Sequence, residues 1–225
     1  MNEAPLFPDP VHGLRTWTVV GESGAERLAA PQRGEAWPSG GAWAEASCAR
    51  LPEHQAPAHG CSCGLHALHP SRRSARRILS ARREIPGIVE ARGQIEVHEE
   101  GFRAERARPY VLLLRPGGNA RLLERLAVAY GAEVVEVDGA EAVLALCRER
   151  ARGLDEFAVA GILGPATVDR YRRARRERMR TNALRVAVVV AIAALLVVAG
   201  LALAPDPDGE RVLKGRTGEI TVNSR

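Results

Sequence analysis

The cysteines and histidines of this chain are concentrated in one short stretch. Residues 54–69, HQAPAHGCSCGLHALH, contain two of its four cysteines and four of its six histidines. Zinc in tetrahedral protein sites takes thiolate and imidazole ligands. Cys48, His54, Cys61 and Cys63 supply four such ligands within sixteen residues. The sequence therefore predicts that these four residues bind one structural Zn²⁺ ion.

The C-x-C spacing leaves other interpretations of this stretch open. A disulfide between Cys61 and Cys63 would close a small, strained ring that is easily reduced, whereas the same pair can hold one metal ion. Gly64 supplies the free backbone that such a turn requires. C-x2-C is the more typical zinc spacing, so a redox or catalytic thiol, or a loop without a site, remain alternatives. His59 is the alternative to His54 as the nitrogen ligand.

The loop must be positioned by secondary structure on both sides of it. Upstream, GLRTWTVV at residues 13–20 has the β-branched and aromatic content of a strand. Trp37 and Trp43 lie in a segment rich in Gly and Pro, and we expect them to shield the metal loop; a stacking platform for a ligand is the alternative. Downstream, Ser71 is expected to open a short helix.

The following residues predict a strand-helix-strand-helix series. Partial two-residue alternation over 88–97 and the apolar run 110–114 indicate strands. A helix over 119–130, a strand over 133–137 and a helix capped by Asp138 come next. The predicted fold class is α/β or α+β: a small mixed sheet with a C-terminal βαβα portion and a Cys/His loop. Cys147 falls on an apolar helix stripe and is expected to be buried in the core.

Three further groups of polar residues admit both a structural and a functional interpretation. Four arginines on the helix after Ser71 form a basic strip that either contacts phosphate or pairs with nearby Glu residues: Arg72, Arg73, Arg76 and Arg77. The segment 98–105 holds His98, Glu99, Glu100, Arg103 and Glu105, which could supply an acid, a base and an anion clamp, or simply form ion pairs. Residues 117–119, Gly-Gly-Asn, indicate a capped turn more than an anion site.

Residues 186–204 predict a single transmembrane helix. All nineteen side chains are nonpolar, and a helix of this length extends about 28 Å, close to the roughly 30 Å of a bilayer core. The net charge of +5 is concentrated just before it: residues 169–185 carry 8 Arg against 2 acidic residues, whereas residues 1–168 carry 20 Arg against 21. Because cationic flanks stay on the cytoplasmic side, the N-terminal domain is expected in the cytoplasm.

These features predict a cell-membrane protein with one span and no signal peptide. Its predicted organisation is a flexible N-terminus (1–11), a cytoplasmic α/β domain (12–152) with the zinc loop (48–63), a linker and basic juxtamembrane segment (153–185), the transmembrane helix (186–204) and a short extracytoplasmic tail (205–225). In a reducing cytoplasm, cysteines are metal ligands or reactive thiols more often than disulfides.

The order of several motifs resembles a set of bacterial, chiefly actinobacterial, proteins with no known activity. The motifs are A-x-C at Ala46–Cys48, H-x-A-P-x3-C-x-C-G at His54–Gly64 and G-x-I-E-V-x-E-x-G-F-R-A-E-R-A at Gly93–Ala107. The resemblance covers about residues 12–137 and implies a metal site, since the Cys and His positions recur in that set. This chain differs by having His66 where a tyrosine is usual and by its membrane anchor.

The leading functional hypothesis is a non-enzymatic domain with a structural zinc site, held at the membrane and acting as an adaptor or regulator through a protein partner in the cytoplasm. One alternative is a membrane-bound enzyme, either a hydrolase or thiol-dependent, that uses Cys61 and Cys63 or the carboxylates of 98–105. The other is a nucleic-acid-binding module that uses Arg72–Arg83. The near-neutral charge of residues 1–168 argues against the last, and the absence of a recognised catalytic motif argues against the enzyme.

Overall fold

The computed structural model describes residues 6–164, except positions 33 and 52, and isolated positions between 166 and 196. The elements of this part follow one another as β1 (Leu6–Val20), β2 (Arg27–Ala29), β3 (Ala44–Glu45), β4 (Leu65–Leu68), α1 (Arg72–Ser80), β5 (Ile85–Val97), β6 (Gly101–Leu114), α2 (Ala120–Tyr130), β7 (Glu133–Glu136), α3 (Ala140–Arg150) and α4 (Glu156–Leu163). The chain divides into two units, Met1–Tyr171 and Arg172–Arg225, and all the named elements belong to the first.

Three long antiparallel strands, β1, β5 and β6, form the centre of the sheet. Strand β5 pairs with β1 on one side and with β6 on the other. The outer edge of β6 pairs successively with β4, β3 and β7, and β4 also pairs with β1 between Leu14 and Leu68. The pairing order β1-β5-β6-β4 therefore returns to β1, and β3 and β4 lie along the same edge of β6.

The sheet has mixed orientation, as the sequence predicted. Strands β6 and β7 are parallel, with Val111 opposite Glu133 and Leu114 opposite Glu136, and helix α2 connects them. Helix α2 begins at the cap residue Asn119, whose side chain accepts a hydrogen bond from the backbone N of Leu122 at 3.1 Å. Residues 117–119 thus form the capped turn that the sequence indicated.

The apolar run at residues 110–114, which predicted a buried strand, packs against an apolar core on each face of the sheet. Alternate residues of a strand point to opposite faces, and Val111 and Leu113 pack in one core with helices α1 and α3, whereas Leu112 packs in another with helix α2. Leu112 is fully buried, and burial of one such side chain contributes about 1.5–3 kcal/mol. Cys147 lies in the core with α1 and α3, as expected from its apolar stripe.

Several predicted boundaries are wrong. The flexible segment expected at 1–11 is wrong for residues 6–11, because β1 begins at Leu6; residues 1–5 lie outside the described part. Helix α3 is capped by Gly139, with no side-chain cap bond, and not by Asp138, because Val137 still bonds to Leu114 of β6. The linker expected from 153 contains α4, whose Val159 is buried in the core.

Strand β6 is also longer than the predicted segment 110–114, since it begins at Gly101. Pro109 lies inside β6, although proline usually interrupts a strand because it has no backbone N–H to donate. Here Pro109 lies opposite Val89, next to an irregularity in the β5–β6 register between Ile88 and Val89. The missing donor is therefore accommodated at a bulge, where proline is tolerated.

The predicted transmembrane helix, 186–204, lies largely outside the described residues. Among the positions that the structure does describe, no helix has both the length and the apolar character needed to cross a bilayer.

Candidate metal centre

The structure brings together the four residues that the cysteine and histidine spacing indicated. The ligand atoms of Cys48, His54, Cys61 and Cys63 all lie within 4.8 Å of one another. The two Sγ atoms of Cys48 and Cys61 are 3.7 Å apart, and His54 Nε2 is 3.2 Å from Cys63 Sγ. Two sulfurs bound to one zinc at about 2.3 Å in a tetrahedron would lie roughly 3.8 Å apart. The cluster could therefore hold one metal ion.

Strand β6 fixes both ends of the loop that carries these residues. The loop, residues 46–64, runs from β3 to β4, which pair with neighbouring parts of β6. At its start, the backbone N of Ala46 donates to Glu105 O at 2.7 Å. At its end, Gly64 has φ +114, and an added Cβ would lie only 2.9 Å from Arg103 Cβ and 3.1 Å from Pro57 Cβ. Gly64 is thus required both for its backbone conformation and for the close approach of β6.

Arg103 of β6 binds the backbone of the C-x-C segment, residues 61–63. Its Nη1 donates to the carbonyl oxygens of Cys61 and Cys63, and its Nη2 pairs with Glu96. Its Nε donates to His98 Nε2 at 3.0 Å, and only 5% of the residue is exposed. Because three of its nitrogens are used in this way, Arg103 fixes the backbone of two candidate ligands to the sheet.

These contacts favour the ion-pair interpretation of segment 98–105 over the acid–base one. Arg103 is paired with Glu96, and Glu100 lies 3.3 Å from Arg73. His98 accepts the Arg103 hydrogen bond, and burial, together with the Arg103 charge, lowers the pKa of its imidazole. A neutral acceptor that is bonded to a guanidinium is not placed to take a proton from a substrate.

The thiols of the cluster differ in their surroundings. Cys48 and Cys63 are buried, whereas Cys61 is half-buried. The backbone N–H of Cys63 lowers the pKa of the Cys61 thiol, and burial raises the pKa of the Cys63 thiol. Cys147 lies apart from the cluster in the core, where burial raises the pKa of its thiol to about 11. It is a buried thiol that takes no part in the candidate site.

The remaining histidines near the loop lie outside the four-residue cluster. The side chain of His59, the alternative ligand, is 76% exposed, and its Nδ1 lies 3.4 Å from Glu96. His66 Nε2 is 3.1 Å from Ser62 O. His69 is buried, with Nε2 2.8 Å from His98 O, and burial lowers the pKa of its imidazole. The geometry therefore selects His54 over His59.

Trp37 belongs to the main apolar core and not to the small cluster of the metal loop, so the predicted shielding of that loop by Trp37 is not seen. Trp37 is 4% exposed and packs edge-on against Trp17 with ring centres 5.5 Å apart. Trp43 lies against the guanidinium groups of Arg92 and Arg108. In the strip on α1, the first two arginines form ion pairs: Arg72 with Glu141 at 2.7 Å and Arg73 with Glu100 at 3.3 Å.

Residue types and spacing identified the four candidate ligands but not the residues that support them. Nothing in the spacing pairs Arg103 with Glu96, because the two lie on different strands and meet only through the register that sets Glu96 opposite Arg103. Alternation over 88–97 placed Glu96 in a strand, but Arg103 lies outside the predicted strand 110–114, so neither its strand nor its pairing with Glu96 could be predicted.

Comparison with known proteins adds no further assignment: no protein-family model, no curated protein and no solved structure matches this chain.

Proposed function

We propose that this chain is a zinc-stabilised domain in which Cys48, His54, Cys61 and Cys63 bind one structural Zn²⁺. The observation that carries the proposal is the convergence of the four ligand atoms within 4.8 Å of one another. Three sulfurs and one imidazole form a donor set that zinc prefers over magnesium or calcium, which take oxygen ligands.

The structural role follows from the number of ligands and from their burial. Four protein ligands close the tetrahedral shell and leave no position for water or substrate, whereas catalytic zinc sites keep one position open. Cys48 and Cys63 are buried, and the nearby Arg103, Glu96 and His98 bind one another. We propose further that the domain acts through contacts with a protein partner, as an adaptor or regulator, and not through catalysis.

The test is the metal content of the purified full-length chain. We expect one zinc per chain, measured by elemental analysis, and its loss in His54→Ala. His59→Ala is the matched control and should retain the metal, since His59 points toward Glu96. A metal-free protein with a Cys48–Cys61 disulfide would instead support a redox role for the thiols, whose sulfurs are already 3.7 Å apart.

We further propose that residues 186–204 hold this domain at the cytoplasmic face of the cell membrane. The uninterrupted apolar run and the seven arginines between Arg170 and Arg180 support this topology. Reporter fusions test it: a reporter that is active only outside the cytoplasm should work after Arg225 and fail at the N-terminus. The opposite pattern would overturn the orientation, and an entirely soluble full-length protein would overturn the anchor.

A further inference from the structure

A wide groove opens beside the candidate metal centre. Its volume is about 1430 Å³, and its walls include Arg15, Trp37, Trp43, His66 and Phe102. Small-molecule sites in proteins usually occupy about 300–1,000 Å³, so the groove has room for a small ligand in one part of it.

Arg15 lies in the wall of this groove at an inward-facing position of β1. Side chains alternate along a strand, so Arg15 shares a face with Gly13 and Trp17, and Trp17 is fully buried. Its Cζ lies 4.8 Å from the centre of the Trp37 ring, and its Nη1 donates to the backbone oxygen of His66. The guanidinium group is therefore held in one place by an aromatic ring and a carbonyl.

The charge of Arg15 has no counter-ion among the residues that the structure describes. No described carboxylate lies within 4.0 Å of it, and its Nε is buried without a hydrogen-bond partner. Burial lowers the pKa of Arg15 to about 10. Arg103, the other inward-facing arginine beside the groove, has Glu96 as its partner. Arg15 as a whole is half-buried, and a partly desolvated charge without a counter-ion is the kind of uncompensated feature that concentrates at functional sites.

We propose that the groove is a binding site for a small organic carboxylate whose negative charge is neutralised by Arg15. A planar guanidinium binds a carboxylate through charge-assisted hydrogen bonds, and Nη2 of Arg15 has no hydrogen-bond partner in the described part of the chain. Glu35, Glu45, Glu84 and Glu100 also line the groove. These acids would repel a polyphosphate or nucleic acid more strongly than a ligand with one negative charge, which selects a monocarboxylate.

Benzoate is a suitable probe, with benzamide as its neutral counterpart of the same shape. In the metal-loaded full-length chain, with ¹⁵N-labelled tryptophan, we expect benzoate to shift the Trp37 indole N–H resonance and to saturate at millimolar concentrations. Benzamide and inorganic phosphate at equal ionic strength should bind at least about tenfold more weakly, since a charge-assisted hydrogen bond contributes about 1.5–3 kcal/mol. Equal shifts with benzoate and benzamide would overturn the proposal, as would the absence of any saturable shift.

Arg15→Met provides the second test. Removal of the uncompensated charge should leave the melting temperature equal to or above that of the wild type, while benzoate affinity falls at least about tenfold. Arg83→Met, at an exposed position, is the matched control and should bind benzoate like the wild type. A lower melting temperature with unchanged benzoate affinity would show that Arg15 only supports Trp37. Zinc content, measured on the same samples, reports on the metal centre separately.

Discussion

The metal loop, residues 46–64, and the sheet with its helices are held together by different forces. The loop has a small apolar cluster of its own, with Cys48, Ala56 and Cys63 as its buried members. The sheet instead separates two large apolar cores, one beneath α2 and one beneath α1 and α3. A region with so few buried apolar side chains does not offset the entropy of ordering its backbone by burial alone. The loop is therefore expected to rely on its hydrogen bonds to β6 and, under the proposed function, on a bound metal ion.

The largest effect should come from removal of one metal ligand. Cys63→Ser, or chelation of the wild type, is expected to release zinc and to destabilise the loop by about 5 kcal/mol or more, because structural zinc sites contribute their binding free energy to folding. Hydrogen exchange would show this as loss of protection over 46–64 with protection retained in β5 and β6.

Cys147→Ser is the matched control for that experiment. It also removes a buried thiol, but one that packs in the core with α1 and α3, so zinc should stay bound while stability falls by about 1–2 kcal/mol. Equal loss of zinc in the two variants, or full protection of the loop after chelation, would contradict the distinction between the regions.

The next largest effect should come from a cavity in the sheet region. Leu126 of α2 is 1% exposed, and Leu126→Ala should lower the free energy of unfolding by about 2–5 kcal/mol without loss of zinc. Val128, on the same helix, is 85% exposed, and Val128→Ala should change stability by less than about 0.5 kcal/mol. Urea unfolding with parallel zinc analysis measures both quantities. Zinc release by Leu126→Ala below the unfolding transition would show that the two regions are coupled.

The junction between the regions can be probed at two glycines with positive φ. Gly60 has φ +78 and open space around an added Cβ, whereas Gly64 would place that Cβ against Arg103 and Pro57. Gly60→Ala should cost about 1–2 kcal/mol for the left-handed conformation alone. Gly64→Ala should cost about 1–3 kcal/mol more from steric overlap and should weaken zinc binding, since Arg103 holds the carbonyls of Cys61 and Cys63. Calorimetry and competition with a chelator would compare them, and equal effects would exclude the steric contribution.

Local patterns predicted the parts of this molecule that depend on local interactions. The αL glycine that ends α2, Gly131 with φ +61, and the Ser71 cap of α1 are set by a few adjacent residues, and so is the ligand set of the loop. The closure of β4 onto both β1 and β6 could not be predicted, because it depends on pairing across long sequence separations. The partnership of Arg103 with Glu96 and the uncompensated position of Arg15 depend on the same register.

The ends of elements were predicted less well where tertiary contacts extend them. Leu6 begins β1 because its strand continues to pair with β5, where Leu6 lies opposite Gln94. The polar and Pro-rich sequence of residues 1–10 gives no sign of this pairing. Helix α4 has a clear local cap, Asp155, which accepts a hydrogen bond from Ala158 N at 2.7 Å, and its apolar residues could have indicated a helix that packs on the core.

The smallest expected effect is a pH dependence that originates in the sheet region and not in the metal loop. His12 of β1 is 6% exposed, packs at a tilted angle against Tyr110 and accepts a hydrogen bond from Arg152 N through Nδ1 at 3.0 Å. Burial lowers the pKa of this imidazole below its usual value of 6.5. The unfolded chain therefore takes up a proton as the pH falls below about 6.5 while the folded chain resists it, and stability decreases in that direction by at most about 1.4 kcal/mol per pH unit.

The substitution His12→Asn isolates this contribution, because the amide oxygen can accept the same hydrogen bond and does not titrate. Above pH 7 the variant should be slightly less stable than the wild type, owing to the lost contact with Tyr110, and the difference should shrink as the pH falls from 6.5 to 5.5. Zinc release also depends on pH, so urea unfolding must be compared between variants with equal zinc content. A wild-type and a His12→Asn profile that run parallel through this range would contradict the assignment of this acid sensitivity to His12.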